Sequence, residues 1–293
     1  MKIFSISSFK LQTPRSFSNF PTQLAKCLPL LIGTVVLPGC GDMFAPKVAT
    51  ICQDNPQMCN DLNSDEWCRG EKAEIIKQRY RHPDDGEGED IYRLMLMFED
   101  YQRCIVNASG LTHKKYRDKE ADRMKGVLTA RKELDRLNRK TRNSSEPLLA
   151  WYHWSRSGDE DALKRFMAAA SAGRLNTPEQ LIALASIQAQ DHMNRTRDTL
   201  YRALSLYKDD ENVDVSVFHT LTTISMEQKK YKLAWIWSKV ASHYSDSINT
   251  QQLEAMATKF QLPASLMNNV ADEITGALED GEFDAKALGL TKL

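Results

Sequence analysis

Six cysteines carry most of the chemistry this sequence can offer, because a thiol can accept a lipid, ligate a metal or join a second thiol. The most informative is Cys40, the last residue of Leu37-Pro38-Gly39-Cys40. It follows an uncharged apolar run, Cys27 to Leu37, that is preceded by Lys26. As a helix, a run of about eleven residues spans ~16 Å, against the ~30 Å hydrocarbon core of a bilayer. It has the size of a signal-peptide core rather than of a membrane span. Small Gly39 suits a peptidase cleft that excludes bulk next to the cleaved bond. Leu37, Gly39 and Cys40 match the bacterial lipobox; Pro38 is an unusual choice there, and residues 1–26 are long for a leader. The expectation is a signal peptide over 1–39, a lipid on Cys40 and a tether over 40–50. Gly41 in place of an aspartate after the lipid cysteine favours an outer-membrane anchor facing the periplasm.

Cys52, Cys59, Cys68 and Cys104 remain, spaced C-x6-C, C-x8-C and C-x35-C. An even set in an exported chain reads as two disulfides. Zinc is the competing reading, but there is no CxxC knuckle and no neighbouring histidine pair. Helices are predicted over Glu71–Tyr80 and Asp90–Val106, separated by the breaker His82-Pro83-Asp84-Asp85-Gly86-Glu87-Gly88. Joined in that way they run antiparallel, which brings Cys68 and Cys104 to nearly the same height. Cys52 and Cys59 then close a short loop containing Pro56.

Without 1–39 the chain keeps 254 residues, with 35 Lys and Arg against 39 Asp and Glu. That is ample for a core and gives no basic excess to attract nucleic acid. Sparse glycine with abundant Ala, Leu, Lys, Glu and Arg points to an all-α fold. No GxSxG, GxxxxGK[ST], HExxH or GxGxxG occurs, and none of the six histidines pairs with another at metal-like spacing. No catalytic residues, cofactor or metal are expected. The acidic run Asp84–Asp90 lacks the ligand spacing of a calcium loop and reads as a solvated turn.

Residues 51–142 form the expected stapled region. Its last element is a long helix, Thr112–Arg142, with an apolar stripe of Tyr116, Met124, Val127, Leu128, Leu134 and Leu137. From Lys114 to Arg142 there are twelve Lys and Arg against five Asp and Glu, enough to hold this face against anionic lipid or cell wall, or simply to solvate it. Over 143–249 the alanines recur. Ala162 and Ala169, Thr196 and Ala203, and Ala234 and Ala241 each lie seven apart, and the second member of each pair recurs after 34 and then 38 residues. A period near 34 built from two helices is the tetratricopeptide pattern, here in degenerate form. Thr196 and Ser238 replace the usual Ala and aromatic. In that register Trp151, Trp154, Gln188, His219, Thr223 and Met226 face a groove. Residues 250–293 supply a helical cap, Thr250–Phe260 and Ala264–Glu279, and a tail from Asp280 expected to fray.

Several motifs together resemble one family. They are C-x-D-N-P-x-x-C at Cys52–Cys59, the pair Leu62-Asn63, W-C-R at 67–69 and Y-x-R-C at Tyr101–Cys104. Further on come Leu149 followed by W-S-x-S-G-D at Trp154–Asp159, A-x-x-R-F at Ala162–Phe166, and V-F-H-x-L around Phe218. The set is similar to the DUF2989 family, and the likeness spans most of the chain after the leader. It implies a lipoprotein of marine or enteric gammaproteobacteria and implies no activity.

Two functions of different class follow. One is a protein-interaction scaffold, anchored through Cys40 and binding an envelope protein or peptide in the repeat groove. The other is an envelope accessory that binds anionic cell wall or lipid through helix 114–142. A cysteine redox enzyme is a distant third, since no CxxC is present.

Overall fold

The computed structural model describes residues 46–111, 117–245 and 249–292. Twelve α-helices and no strand occur among them. Contacts divide the chain into two units, the first ending at Arg174 and the second beginning at Leu175. The lipobox and Cys40 lie outside the described residues.

The first unit is built from α1 (Val48–Asp54), α2 (Arg69–Arg81), α3 (Glu89–Ser109), α4 (Arg117–Thr141), α5 (Pro147–Ser157) and α6 (Glu160–Ser171). In α3, Ile91, Met95, Phe98, Tyr101, Ile105 and Ala108 recur at threes and fours and are buried along one face. Both disulfides are present, Cys52–Cys59 with its Cα atoms 5.7 Å apart and Cys68–Cys104 at 5.8 Å. The second joins the N-cap of α2 to the C-terminal third of α3, as an antiparallel hairpin requires. Helix α4 crosses α3 at Gly126, where a Cβ would overlap the Tyr101 hydroxyl, so only glycine allows this approach.

The face of α4 is turned from the expected one. Val127, Ala130, Leu134 and Leu137 are buried, whereas Met124 and Leu128 are 48% and 58% exposed. At about 3.6 residues per turn, Met124 falls about 100° and Leu128 about 140° from the buried line. Tyr116 falls outside the described residues.

Local rules set the ends of the next helices. Pro147 occupies the first turn of α5, where its missing N–H is harmless, and Glu146 accepts from Leu149 N at 2.9 Å. Gly158 ends α5 in the left-handed region at φ 69°, and Asp159 then caps α6 through Asp161 N and Ala162 N. The turn is only two residues long, so α5 and α6 form a hairpin that belongs to the first unit.

The second unit contains α7 (Pro178–Gln188), α8 (Met193–Leu204), α9 (Ser216–Glu227), α10 (Tyr231–Tyr244), α11 (Thr250–Phe260) and α12 (Ala264–Glu279). Helices α7 and α8 pair, as do α9 and α10. The small residues expected at crossings are buried in all three hairpins, with Ala162, Thr196, Ala203, Ala234 and Ala241 each fully enclosed. An aromatic cluster fills the centre, with Phe218 stacked on Trp237 and on Tyr244. Trp235 Nε1 donates to Leu253 O at 2.9 Å and ties α10 to α11.

The C-terminal tail is not frayed. Phe283 and Leu290 are buried, and Phe283 packs on Tyr201 and Trp237. Asp284 accepts from Lys286 N and Ala287 N, which starts a final turn. The tail is anchored by contacts with residues about eighty and forty-five positions earlier, Tyr201 and Trp237, which the local pattern does not show.

Candidate functional site

The first unit has a polar centre where the loop between the disulfides meets α3 and α4. Tyr101 Oη donates to Asn63 Oδ1 at 2.8 Å and accepts from Asn63 N at 3.2 Å. Asn63 Nδ2 donates to Asp65 Oδ1 at 2.5 Å and to Trp67 O at 3.0 Å. Asp65 Oδ2 meets Arg123 Nε at 2.7 Å, and Arg123 also donates to Ala108 O. Lys72 Nζ closes the loop from beneath, on Asn63 O and Asp65 O. Burial pushes the Tyr101 hydroxyl up to about 12, so it remains a donor. Burial also works to raise the Asp65 carboxyl, and hydrogen bonds from Arg123 and Asn63 outweigh it and leave it below the usual carboxylate value. The lysine is lowered, mainly because it is desolvated.

A second clamp lies at the turn between α2 and α3. Asp85 accepts two bonds from Arg136 at 2.7 Å and one from Lys140 at 2.9 Å. The Arg136 guanidinium beside it draws its carboxyl down to about 2. Arg79 pairs with both Asp61 oxygens at 2.8 Å and donates to Met58 O. The acidic turn is therefore only partly solvated: Asp84, Glu87 and Glu89 are exposed, while Asp85 is a fastening point for α4. Much of the positive charge on α4 is likewise engaged within the unit, through Arg123, Lys125, Arg136 and Lys140.

The expected groove residues are distributed over both units. In the first, Trp151 is half-buried and packs against the core, and its indole N–H is enclosed without a hydrogen-bond acceptor. Trp154 is half-buried on the same helix. His153 between them is a packing residue: its Nε2 lies 2.9 Å from Thr141 Oγ1, whose own proton goes to Leu137 O. Burial lowers the imidazole pKa. In the second unit, Gln188 Oε1 accepts from Thr199 at 2.8 Å. His219, Thr223 and Met226 fall at i, i+4 and i+7 on one stripe of α9, with Thr223 exposed and the other two half-buried.

Sequence reading missed Arg79, Asp85, Arg123 and Arg136. Each is one charge within a charged stretch, and only three-dimensional pairing separates a clamp from a solvated side chain. The one available signal lay in the motifs: Leu62, Asn63, Tyr101, Cys68 and Cys104 all meet at this centre. Cys68, Glu71 and Cys104 also offer ligand atoms within 4.8 Å of one another, but the two sulfurs are joined to each other and are not thiolate ligands. No helix among the described residues is long and apolar enough to cross a membrane.

These features define an all-helical protein with a disulfide-stapled first unit and three helical hairpins. Within that class the chain belongs to the DUF2989 family, described as a protein of unknown function, whose profile matches residues 37–239. No curated protein and no solved structure matches it.

Proposed function

We propose that this protein is a lipid-anchored interaction scaffold of the bacterial envelope, held at the outer membrane through Cys40 and binding a protein segment on its TPR-like hairpins. The observation that carries this reading is the stripe His219, Thr223 and Met226 on α9, exposed at Thr223, on the first helix of a hairpin whose second helix buries Ala234 and Ala241. Small residues at the crossing let the two helices close on each other, which leaves the outer stripe of the first helix to face a partner. A polar stripe ending in a half-buried methionine suits an amphipathic peptide. Untagged protein carrying Cys40→Ser, coupled to resin, is expected to retain a defined set of envelope proteins. A chain that also carries Thr223→Arg and Met226→Glu is expected to lose them. Equal recovery from both resins rejects the reading.

A second reading keeps one observation in its favour. Ala121, Met124 and Leu128 form an exposed row on α4, bordered by Lys125 and Lys132. Such a row suits shallow contact with an anionic bilayer below the tether. Vesicle co-sedimentation of the Cys40→Ser protein that falls with salt, and falls again with Leu128→Glu, favours it over the scaffold.

A further inference from the structure

In the second unit three segments distant in sequence converge on one point. Asp210 lies in the loop after α8, His243 in the last turn of α10 and Glu279 at the end of α12. One ligand atom from each lies within 4.8 Å of the other two, and His243 Nε2 is 3.5 Å from Glu279 Oε1. Two carboxylates held this close repel each other unless a positive charge sits between them. Among the described residues no lysine or arginine forms an ion pair with either one.

Tyr244 follows His243 on α10, and the two rings lie 4.9 Å apart, centroid to centroid. The Tyr244 hydroxyl oxygen is shut off from solvent and has no hydrogen-bond partner. A buried donor without an acceptor is costly, by the full desolvation of the group. A ligand that brought an oxygen to this spot would remove the cost.

We propose that Asp210, His243 and Glu279 bind a divalent transition-metal ion of the zinc class. The donor set selects the class. One imidazole with two carboxylates suits a borderline cation better than calcium or magnesium, which take oxygen shells alone. Three protein ligands leave a coordination position for water, and that water gives the Tyr244 hydroxyl its acceptor. The ion neutralises the two carboxylates and fastens the loop after α8 to the ends of α10 and α12. Its role is to brace the second unit, which has no disulfide among its described residues.

The test uses the full untagged chain with both disulfides formed, stripped with a chelator and titrated calorimetrically with zinc chloride. One zinc per chain is expected, with a melting temperature that rises by several degrees at hundredfold excess over Kd. His243→Ala and Glu279→Gln should each weaken binding by at least about tenfold. Both side chains are exposed, so circular dichroism should show these variants folded as the parent. Tyr244→Phe should retain the stoichiometry and lose affinity a few-fold. His192→Ala, in the same unit, should bind as the parent. Magnesium and calcium should bind at least about a hundredfold more weakly than zinc. Zinc that binds the His243 and Glu279 variants as it binds the parent, or no zinc bound at about 1 mM (a Kd in the millimolar range), overturns the proposal.

Discussion

Arg123 and Asp65 form a buried ion pair, 2.7 Å from Nε to Oδ2, with the arginine side chain 1% exposed and the aspartate 10%. The pair joins α4 to the loop between the disulfides, and Arg123 satisfies Ala108 O as well. Removing one partner strands the other charge. Arg123→Ala should destabilise the fold by about 3–5 kcal/mol. Asp65→Ala combined with it should cost much less than the sum of the two single changes. Urea unfolding of the four proteins measures this; additive losses would mean that the pair is not coupled.

The two disulfides should differ in weight. Cys68–Cys104 closes a sequence separation of 36 and Cys52–Cys59 one of 7. Loop-closure entropy gives about 4 kcal/mol for the first and about 2.5 kcal/mol for the second. The double Cys68→Ser, Cys104→Ser protein should therefore melt below the double Cys52→Ser, Cys59→Ser protein. The reverse order would refute the ranking.

His153 should make the protein sensitive to mild acid. Burial lowers its pKa below the 6.5 of a free imidazole, so the unfolded chain binds the proton more readily than the folded one. Its contribution is complete above the unfolded pKa and is lost as pH falls below about 6.5. Stability should decline between pH 7 and pH 5, and His153→Gln should flatten that decline in denaturant titrations at each pH.

Asp85 governs a separate, more acid range. Its carboxyl is held at about 2 by Arg136, against 3.8 for the free group. The stabilisation is present above pH ~4 and is lost as pH falls towards 2. Asp85→Asn should cost about 1 kcal/mol at neutral pH, a figure reduced by solvent around the half-exposed Arg136. It should also remove this part of the acid transition, as followed by circular dichroism.

Local periodicity and spacing made the helices and both disulfides legible. The hairpin of α2 and α3 fixes the heights of Cys68 and Cys104, and the turn residues that define it are adjacent in sequence. The burial of Ala162, Ala203 and Ala241 was legible for the same reason, because small residues at helical spacing mark where paired helices approach closely. The orientation of α4 was not, because Met124 and Leu128 fit one helical stripe as readily as Val127 and Leu134 fit the next. Arg123 and Asp65 lie 58 positions apart, and Asp210, His243 and Glu279 come from three segments. Charges that meet across such distances leave no pattern along the chain.

The pairing of Cys52 with Cys59 and of Cys68 with Cys104 is consecutive. The four bridged cysteines allow three pairings among themselves, and this is the one in which each newly emerged pair can close before the later ones appear. A chain made from its N-terminus reaches the native connectivity with a simple thiol oxidase, and an isomerase to reshuffle wrong bonds has little to correct. Cells lacking disulfide isomerase activity should still accumulate the correctly bridged protein.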